Sequence, residues 1–435
     1  MRFLQLLFAI LAVATGTEGS ALASDAAAGS TDSAELPPPP APAPAASPAP
    51  AAPAVPPAPP PTASPAPDPA VPPAPALTAS PAPPSAATPA SPTAAPPAPA
   101  RYFYFGFDYG TQAMENPLWV LVNRGYDVLQ DHVAPRDVFN FRYGPNGANI
   151  ARNVGNPFPA ISDDGWGKFL REEIFPLSYT GDTARWIPNY SLHLIGGGVT
   201  YAALDEWFRD HDVPLPKLWA GLTVMAAGFL NETLENNGLV GYNTDCLADL
   251  YVFDLGGILL FSFDTPRRFF SRTVVISDWS LQPALTFPRG ELHNVGNYFA
   301  AKWAIPFYPR LRLFSWFGEA TTAGLSFAID AEYSISAAAG GAAIHLVNQN
   351  THTLENKVSF APTAAVFLDR KESLLASLQV TDVDDYFIHL NLYPHALFAR
   401  GPGIGFWFVA DKQGRVALGL SMALLLGMGT GWSGL

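Results

Sequence analysis

Cysteine is almost absent: Cys246 is the only one in 435 residues. That excludes an intramolecular disulfide and the paired-cysteine metal and redox motifs. Catalytic signatures are missing as well. The sequence has no HExxH, no CxxC, no Walker phosphate loop and no GxSxG nucleophile elbow. The run GPGIG at 401–405 precedes an expected strand rather than a helix, so it reads as a loop and not as a nucleotide fingerprint. No basic run occurs and the net charge is −13, which argues against a nucleic-acid partner. Charge of either sign is scarce, at 14% of residues, where about a quarter is usual. Part of the folded surface is therefore expected to face something other than water.

What is present is sharply divided. Residues 1–23 carry one Arg, the apolar run FLQLLFAILAVA and then ALA before Ser24, the layout of a cleaved secretory signal peptide. The apolar run is about half a bilayer span, and no Cys follows it as a lipoprotein signal would require. Residues 24–100 form a Pro/Ala-rich linker, with little but Pro, Ala, Ser and Thr from Pro37 onward. Such a segment cannot build a core and is expected to be extended and disordered. Stretched as polyproline at about 3.1 Å per residue it reaches roughly 200 Å, a spacer long enough to tether the chain across a periplasm or to the cell wall.

Residues 266–435 show alternation with period two. In WSLQPALTF, Trp279, Leu281, Pro283, Leu285 and Phe287 fall on one face, with Ser280, Gln282, Ala284 and Thr286 on the other. LSFAIDAEYSISA alternates Leu325, Phe327, Ile329, Ala331, Tyr333 and Ile335 with small or polar residues. One apolar face and one small, polar face point to strands of a membrane barrel rather than of a soluble sandwich, whose outer face would be charged. The reading is an antiparallel membrane β-barrel of about 8–10 strands. Trp279, Tyr298, Trp303, Trp316, Tyr386, Tyr393 and Trp407 lie near expected strand ends and suit interfacial girdles. The chain closes on GWSGL, without the terminal aromatic common in such barrels.

Residues 101–265 read as mainly helical. RYFYFGFDYG is expected to be a short strand, NFRYGPNGANIARNVGNPF a loop and DDGWGKFLREEIF an amphipathic helix. Three helices follow, at about Tyr190 to Arg209, Leu218 to Asn236 and Asp245 to Phe263, each too short in its apolar part for the roughly twenty residues of a membrane span. The fold class is thus α+β, a short helical bundle followed by the barrel.

The last helices hold the candidate site. Short loops make successive helices antiparallel, so His193, Glu232, Glu235, Asp245 and Asp249 are expected at one end of the unit. Residues three and four apart share a helical face. Carboxylates buried beside apolar runs need protons, a cation or a basic partner. Oxygen ligands suit Ca²⁺, Mg²⁺ or Mn²⁺, and His193 adds Zn²⁺ or Fe²⁺; a divalent cation is the cofactor this set implies. The competing reading is helix-end acids and a core histidine. Asp254, further along its helix, reads as peripheral, and Asp205, Glu206 and Lys217 as surface charge. Within the barrel, Ser377, His389 and Asn391 read as ordinary lumen-facing residues.

The succession NYSLHLIGGGVTY, NETLEN and DCLADLYVFDLGG resembles an uncharacterised group of bacterial envelope proteins and, more distantly, the VanZ-like family. The resemblance covers about 189–260 and carries His193, Gly196, Glu232, Glu235, Asp249 and Gly256. It departs at Phe253, where an Asn is expected, and implies a site without implying a reaction. The reading that follows is an exported outer-membrane barrel with a helical domain, in contact with outer-membrane lipid and with a structural or transport role. The alternative is an envelope enzyme, hydrolysing a lipid or phospholipid through the His/Glu/Asp cluster.

Overall fold

The structure, a computed structural model, describes residues 100–131, 136–176, 187–350, 353–396, 403–423 and 427–435. The residues read as a signal peptide, 1–23, and all of the expected linker but its last residue lie outside them. Two short helices come first, α1 (Gly110–Met114) and α2 (Pro117–Gly125). Asn116 starts α2: its side-chain oxygen accepts from the Leu118 and Trp119 amides, and Pro117 takes the first helical position, where no N–H is needed. Next are α3 (Tyr143–Gly155), α4 (Pro157–Asp164) and α5 (Trp166–Phe169). Gly165, at φ 95°, divides α4 from α5, so DDGWGKFLREEIF is broken and not one helix.

The three helices expected further on are all present, and two contain π-helical stretches. A π segment, Ile187–Gly196, runs into α6 (Gly197–Asp210); α7 is Pro216–Glu235; and α8 (Asp245–Leu247) continues through a second π segment, Ala248–Asp254, into α9 (Leu255–Phe261). α10 (Asp264–Arg272) leads to the sheet. Close approach is set by glycine. A Cβ at Gly198 would overlap the Phe261 ring, and one at Gly257 would lie 2.5 Å from the Leu194 carbonyl oxygen.

The sheet comprises β1 (Ile276–Asp278), β2 (Ala284–Phe287), β3 (Glu291–His293), β4 (Phe299–Ala304), β5 (Leu311–Phe317), β6 (Ala320–Ala328), β7 (Tyr333–Asn350), β8 (Thr353–Arg370), β9 (Ser373–Thr381), β10 (Ile388–Leu392), β11 (Ile404–Ala410), β12 (Val416–Met422) and β13 (Gly429–Ser433). Their order is β1, β4 through β13, β2, β3. Every neighbouring pair is antiparallel except β13 with β2, which is parallel. The fold is therefore α+β, as expected, but the sheet has 13 strands rather than 8–10, and β1 and β3 at the ends of the order do not pair, so it is not a closed barrel. LSFAIDAEYSISA is a hairpin and not one strand: Asp330 accepts the amides of Glu332 and Tyr333 and turns β6 into β7.

Helices and sheet share one hydrophobic core. Trp119, Val199, Leu204 and Phe261 join Trp279, Phe314, Trp316 and Phe367 in a single cluster. This corrects the girdle expectation. Trp279, Tyr298, Trp316, Tyr393 and Trp407 are buried, and only Trp303 of that set is largely exposed. Most of their partners come from the sheet: Trp279 packs on Phe314 and Phe367, and Tyr393 donates to the Ser280 carbonyl. Helical side chains bond the backbone around them. Trp119 Nε1 and Asn123 Nδ2 each donate to the Leu281 carbonyl at 3.0 Å, and Asp127 accepts the Asn297 amide at 2.8 Å. The alternation in WSLQPALTF also breaks. Trp279, Leu281, Gln282 and Ala284 are all buried, because the strand is interrupted at 279–283 between β1 and β2.

Asp205 and Glu206 are not surface charges. Asp205 is fully buried between Arg209 (2.7 Å) and Arg267 (2.8 Å). The Glu206 carboxylate accepts the backbone amides of Tyr102, Phe103 and Tyr104 at 2.9–3.1 Å. That is why RYFYFG is not a strand: its amides are spent on a side chain. Deleting an acceptor for three buried amides leaves each unsatisfied, at about 1–3 kcal/mol apiece. We expect Glu206→Ala to lower stability by on the order of 3 kcal/mol, read as a denaturant midpoint, while Ala at half-exposed Glu172 leaves it unchanged.

Candidate functional site

The π segments Ile187–Gly196 and Ala248–Asp254, the first and second named above, face each other and carry the site; a third, Leu170–Ile174, follows α5. In a π-helix each N–H bonds five residues back, so residues five apart stack on one side. Asp249 and Asp254 therefore present to the same neighbour, His193. Its Nδ1 lies 3.0 Å from Asp254 Oδ1, and its Nε2 lies 3.7 Å from Asp249 Oδ2. An α-helical period places Asp254 on another face, and that reading is wrong: Asp254 is the centre of the cluster, fully buried.

Its strongest partner comes from the first helices. Arg124, at the end of α2, brings Nη2 to 2.5 Å from Asp254 Oδ1, and its Nη1 donates to the Leu192 carbonyl at 3.3 Å. Two glycines make room. A Cβ at Gly228 on α7 would overlap the Asp254 carboxylate, and one at Gly197 would lie 3.0 Å from Arg124 Nη2. Gly196 and Gly256 do other work, seating the Phe299 ring and the Leu194 methyl groups.

The structure brings the expected acids to this end of the unit. Glu232 is 1% exposed and meets Asp249 carboxyl to carboxyl, yet neither of its oxygens has a hydrogen-bond partner of normal geometry. Burial beside Asp249 with no partner for either oxygen favours the protonated form of Glu232. Glu235 ends α7 and Asp245 begins α8, and the charges of both reach Glu232. Cys246, also buried, has its thiol pushed up by burial and by these acids.

A ladder of asparagines holds the helix ends together. Asn146, Asn149 and Asn153 lie on one face of α3, the segment expected to be a loop. Asn146 accepts the Gly238 amide, Asn149 the Gly241 amide and Asn153 the Asn243 amide, at 3.1–3.2 Å. The loop joining α7 to α8 is thereby pinned, and with it the register of Glu232 against Asp249. The i, i+3, i+7 spacing of these asparagines was the available signal. Arg124 had none, since its partners lie more than sixty residues away.

The electrostatics follow from burial and neighbours. Burial alone would lower the His193 pKa, but Asp249 and Asp254 outweigh it and raise it to about 9. Burial raises Asp249 to about 7, with His193 opposing and Asp245 and Asp254 adding. Burial, with Asp249 next, pushes Glu232 well up. Asp254 goes the other way: Arg124 and His193 overcome its burial and hold it below the usual carboxylate range. The site is thus the Arg124 guanidinium and the His193 ring around the Asp254 carboxylate, beside two acids whose burial favours their neutral forms. Among the described residues no three His, Cys, Asp or Glu side chains are placed to hold a metal ion; Arg124 and protonated His193 supply the positive charge that the acids require. Chemically the arrangement can store and pass a proton, with His193, 15% exposed, as its contact with solvent.

Three outcomes follow. His193 should titrate near pH 9 by imidazole NMR, and Asp254→Asn should bring that value down. Stability should fall as pH rises. Asp249, raised in the fold, costs stability increasingly from its ordinary 3.8 up to about 7, and the His193 contribution, whole below 6.5, is lost through about 9. Asp254 acts in the opposite sense: its contribution is held above 3.8 and lost only below it. A thermal-melt series over pH 4–10 would check the slope. Gly228→Ala should destabilise by about 1–3 kcal/mol through overpacking and should shift the His193 resonance, because the Asp254 carboxylate must move.

Comparison with known proteins finds no family, no curated protein and no solved structure that matches this chain.

Proposed function

We propose that the chain is an exported outer-membrane β-barrel protein whose helical unit packs against and fills the wall, with a structural or anchoring role in the envelope. One observation carries this reading: the polarity of the sheet is inverted. In β12, Leu418, Leu420 and Met422 are exposed while Ala417, Gly419 and Ser421 are buried. In β6, Leu325 and Phe327 are exposed while Thr322 and Ser326 are buried. Lys302 and Asp369 form an ion pair at 2.7 Å in the interior. Gln282, Asn294, His389 and Asn391 form a hydrogen-bonded set there as well. In water such a sheet would expose its apolar face and bury its polar one; against lipid the pattern is the required one.

Wrapping of the sheet into a barrel is part of the same proposal. β1 and β2 are successive stretches of one interrupted strand. The interruption stays hydrogen-bonded on one side through Trp279 N to Tyr298 O and Leu281 N to Gly296 O, and on the other through Gly429 N to Pro283 O. Counting β1 with β2 and β3 with β4 as single bent strands leaves eleven. An odd number of alternating strands brings the first and last together in parallel, the direction in which β13 meets β2. The interior is occupied by side chains and by contacts from α2, which favours an anchoring role over an open pore.

The test is an outer-membrane fraction and gel mobility that changes on heating, with no porin-like conductance after reconstitution. Recovery as a soluble periplasmic monomer would sink the reading. The buried Glu232–Asp249 pair beside His193 favours one other reading, an envelope hydrolase acting on a lipid or phospholipid. Loss of a lipid-modifying phenotype in Glu232→Gln, with heat-modifiability intact, would select it.

A further inference from the structure

The helical unit has an apolar outer face that the fold leaves uncovered. On α7, Leu218 and Leu222 are exposed; on α9 and its end, Leu255, Leu259 and Phe263 are exposed at spacings of four. Gly228 packs on Leu250 and Asp254 of the second π segment, so α7 runs antiparallel to the helix that continues into α9, and both sets lie toward the end away from the acidic cluster; α6 packs against both α7 and α9. α10 carries exposed Phe269 as well.

We propose that this face is seated in the interfacial layer of the bilayer that holds the barrel, with anionic phospholipid as its partner; the inference rests on the membrane reading above. Four observations choose that occupant. No single helix among the described residues is long and apolar enough to cross a membrane, and the one pair that qualifies by length and composition, Asp245–Phe261 with Asp264–Val274, is bent by 83°. A right-angled apolar pair suits a helix lying in the interface. Phe263 stands at its corner, 59% exposed. The rim is cationic in an acidic protein: Arg268 and Arg272 are exposed on α10 and form no ion pair with a described residue, Arg272 lying only over the Tyr102 ring at 6.0 Å. Asp264, the one acid of α10, stands one turn before Arg268 without forming an ion pair to it. Basic residues beside exposed aromatics match anionic headgroups above an acyl boundary. Finally, the face runs on into the sheet. α10 leads directly to β1, which pairs with β4 through Ile276 and Ala301. Two residues on, Trp303 is exposed, and beyond it Phe307 and Tyr308 are exposed in the β4–β5 turn.

The experiment uses the full chain in nanodiscs containing phosphatidylglycerol. Single cysteines replace Leu222, Leu259, Ser162 and Leu420 in turn, each carrying an environment-sensitive fluorophore. Cys246 is buried, and parent protein without label uptake serves as control. With doxyl-labelled lipid, the probes at Leu222 and Leu259 should lose most of their emission, as should Leu420 on the outward face of β12. The probe at Ser162, exposed on α4, should lose little. Exchanging phosphatidylglycerol for a zwitterionic lipid, or making Arg268→Glu with Arg272→Glu, should weaken quenching at Leu259 and leave Leu420 unchanged. If Leu420 is quenched and Leu222 and Leu259 are not, the inference is overturned while the barrel stands, and a second copy or another protein covers the face. If Leu420 is unquenched, the barrel reading fails and takes the inference with it. Quenching at Leu259 that ignores both lipid charge and the arginines would overturn the assignment to anionic lipid.

Discussion

The helical unit depends on one buried carboxylate. Asp254 has no access to water and is held by Arg124 and His193, which come from α2 and from the π segment that runs into α6. A charge in that position is tolerable only while both partners stay; removing one member of a buried pair typically costs about 3–5 kcal/mol. The contact thus obliges segments far apart in sequence to meet at one point. Gly197 and Gly228 are small for the same reason, since any side chain there would collide with the ions. Packing and electrostatics are not separable here: the cluster sets how closely α6, α7 and the second π segment approach, and that approach in turn excludes the water that would weaken the cluster.

The sheet solves a related difficulty on a larger scale. In β6 and β12 the inward positions are small or polar and the outward ones largely apolar, and several inward polar groups are matched within the fold. Lys302 is matched by Asp369, and its ammonium also lies 5.1 Å from the Trp279 ring. Gln282, Asn294 and Asn391 match one another. Tyr393 donates to the Ser280 carbonyl at 2.8 Å. Where the strand is interrupted at 279–283, α2 contributes Trp119 and Asn123 to satisfy the Leu281 carbonyl. The matching is incomplete: Ser326 Oγ, Ser336 Oγ and the Nε1 atoms of Trp316 and Trp407 have no hydrogen-bond partner among the described residues.

Much of this was legible in the sequence, and the failures have physical causes. The three long helices, the alternating strands and the gathering of His193, Glu232 and Asp249 followed from period and loop length. Asp254 was misplaced because a π turn changes which residues share a side, and nothing in ADLYVFD announces a π turn. The aromatics were assigned to girdles because strand alternation says which face a residue takes but not which face is inside. Five of them turn inward, where Trp279 and Trp316 pack on Phe367 and Trp407 clusters with Ala284, Val409 and Ala417. The α3 asparagines were read by composition, as loop residues, when their spacing was that of a helix face. Glu206 looked exposed because its partners are backbone amides, which leave no trace in sequence.

The parallel pairing of β13 with β2 has a consequence for how the molecule is made. Thr430 Oγ1 donates to the Leu285 carbonyl across 145 residues, a far longer reach than any neighbouring hairpin requires. Loop closure of that length is slow relative to hairpin formation. Hairpins from β4 to β13 can zip in order as the chain becomes available, but β2 must wait for the last of them. Until then its edge is open and can pair with any strand presented to it. Assembly therefore has a vulnerable interval set by topology, and α2, already bonded to Leu281, is the element positioned to shelter the waiting strand.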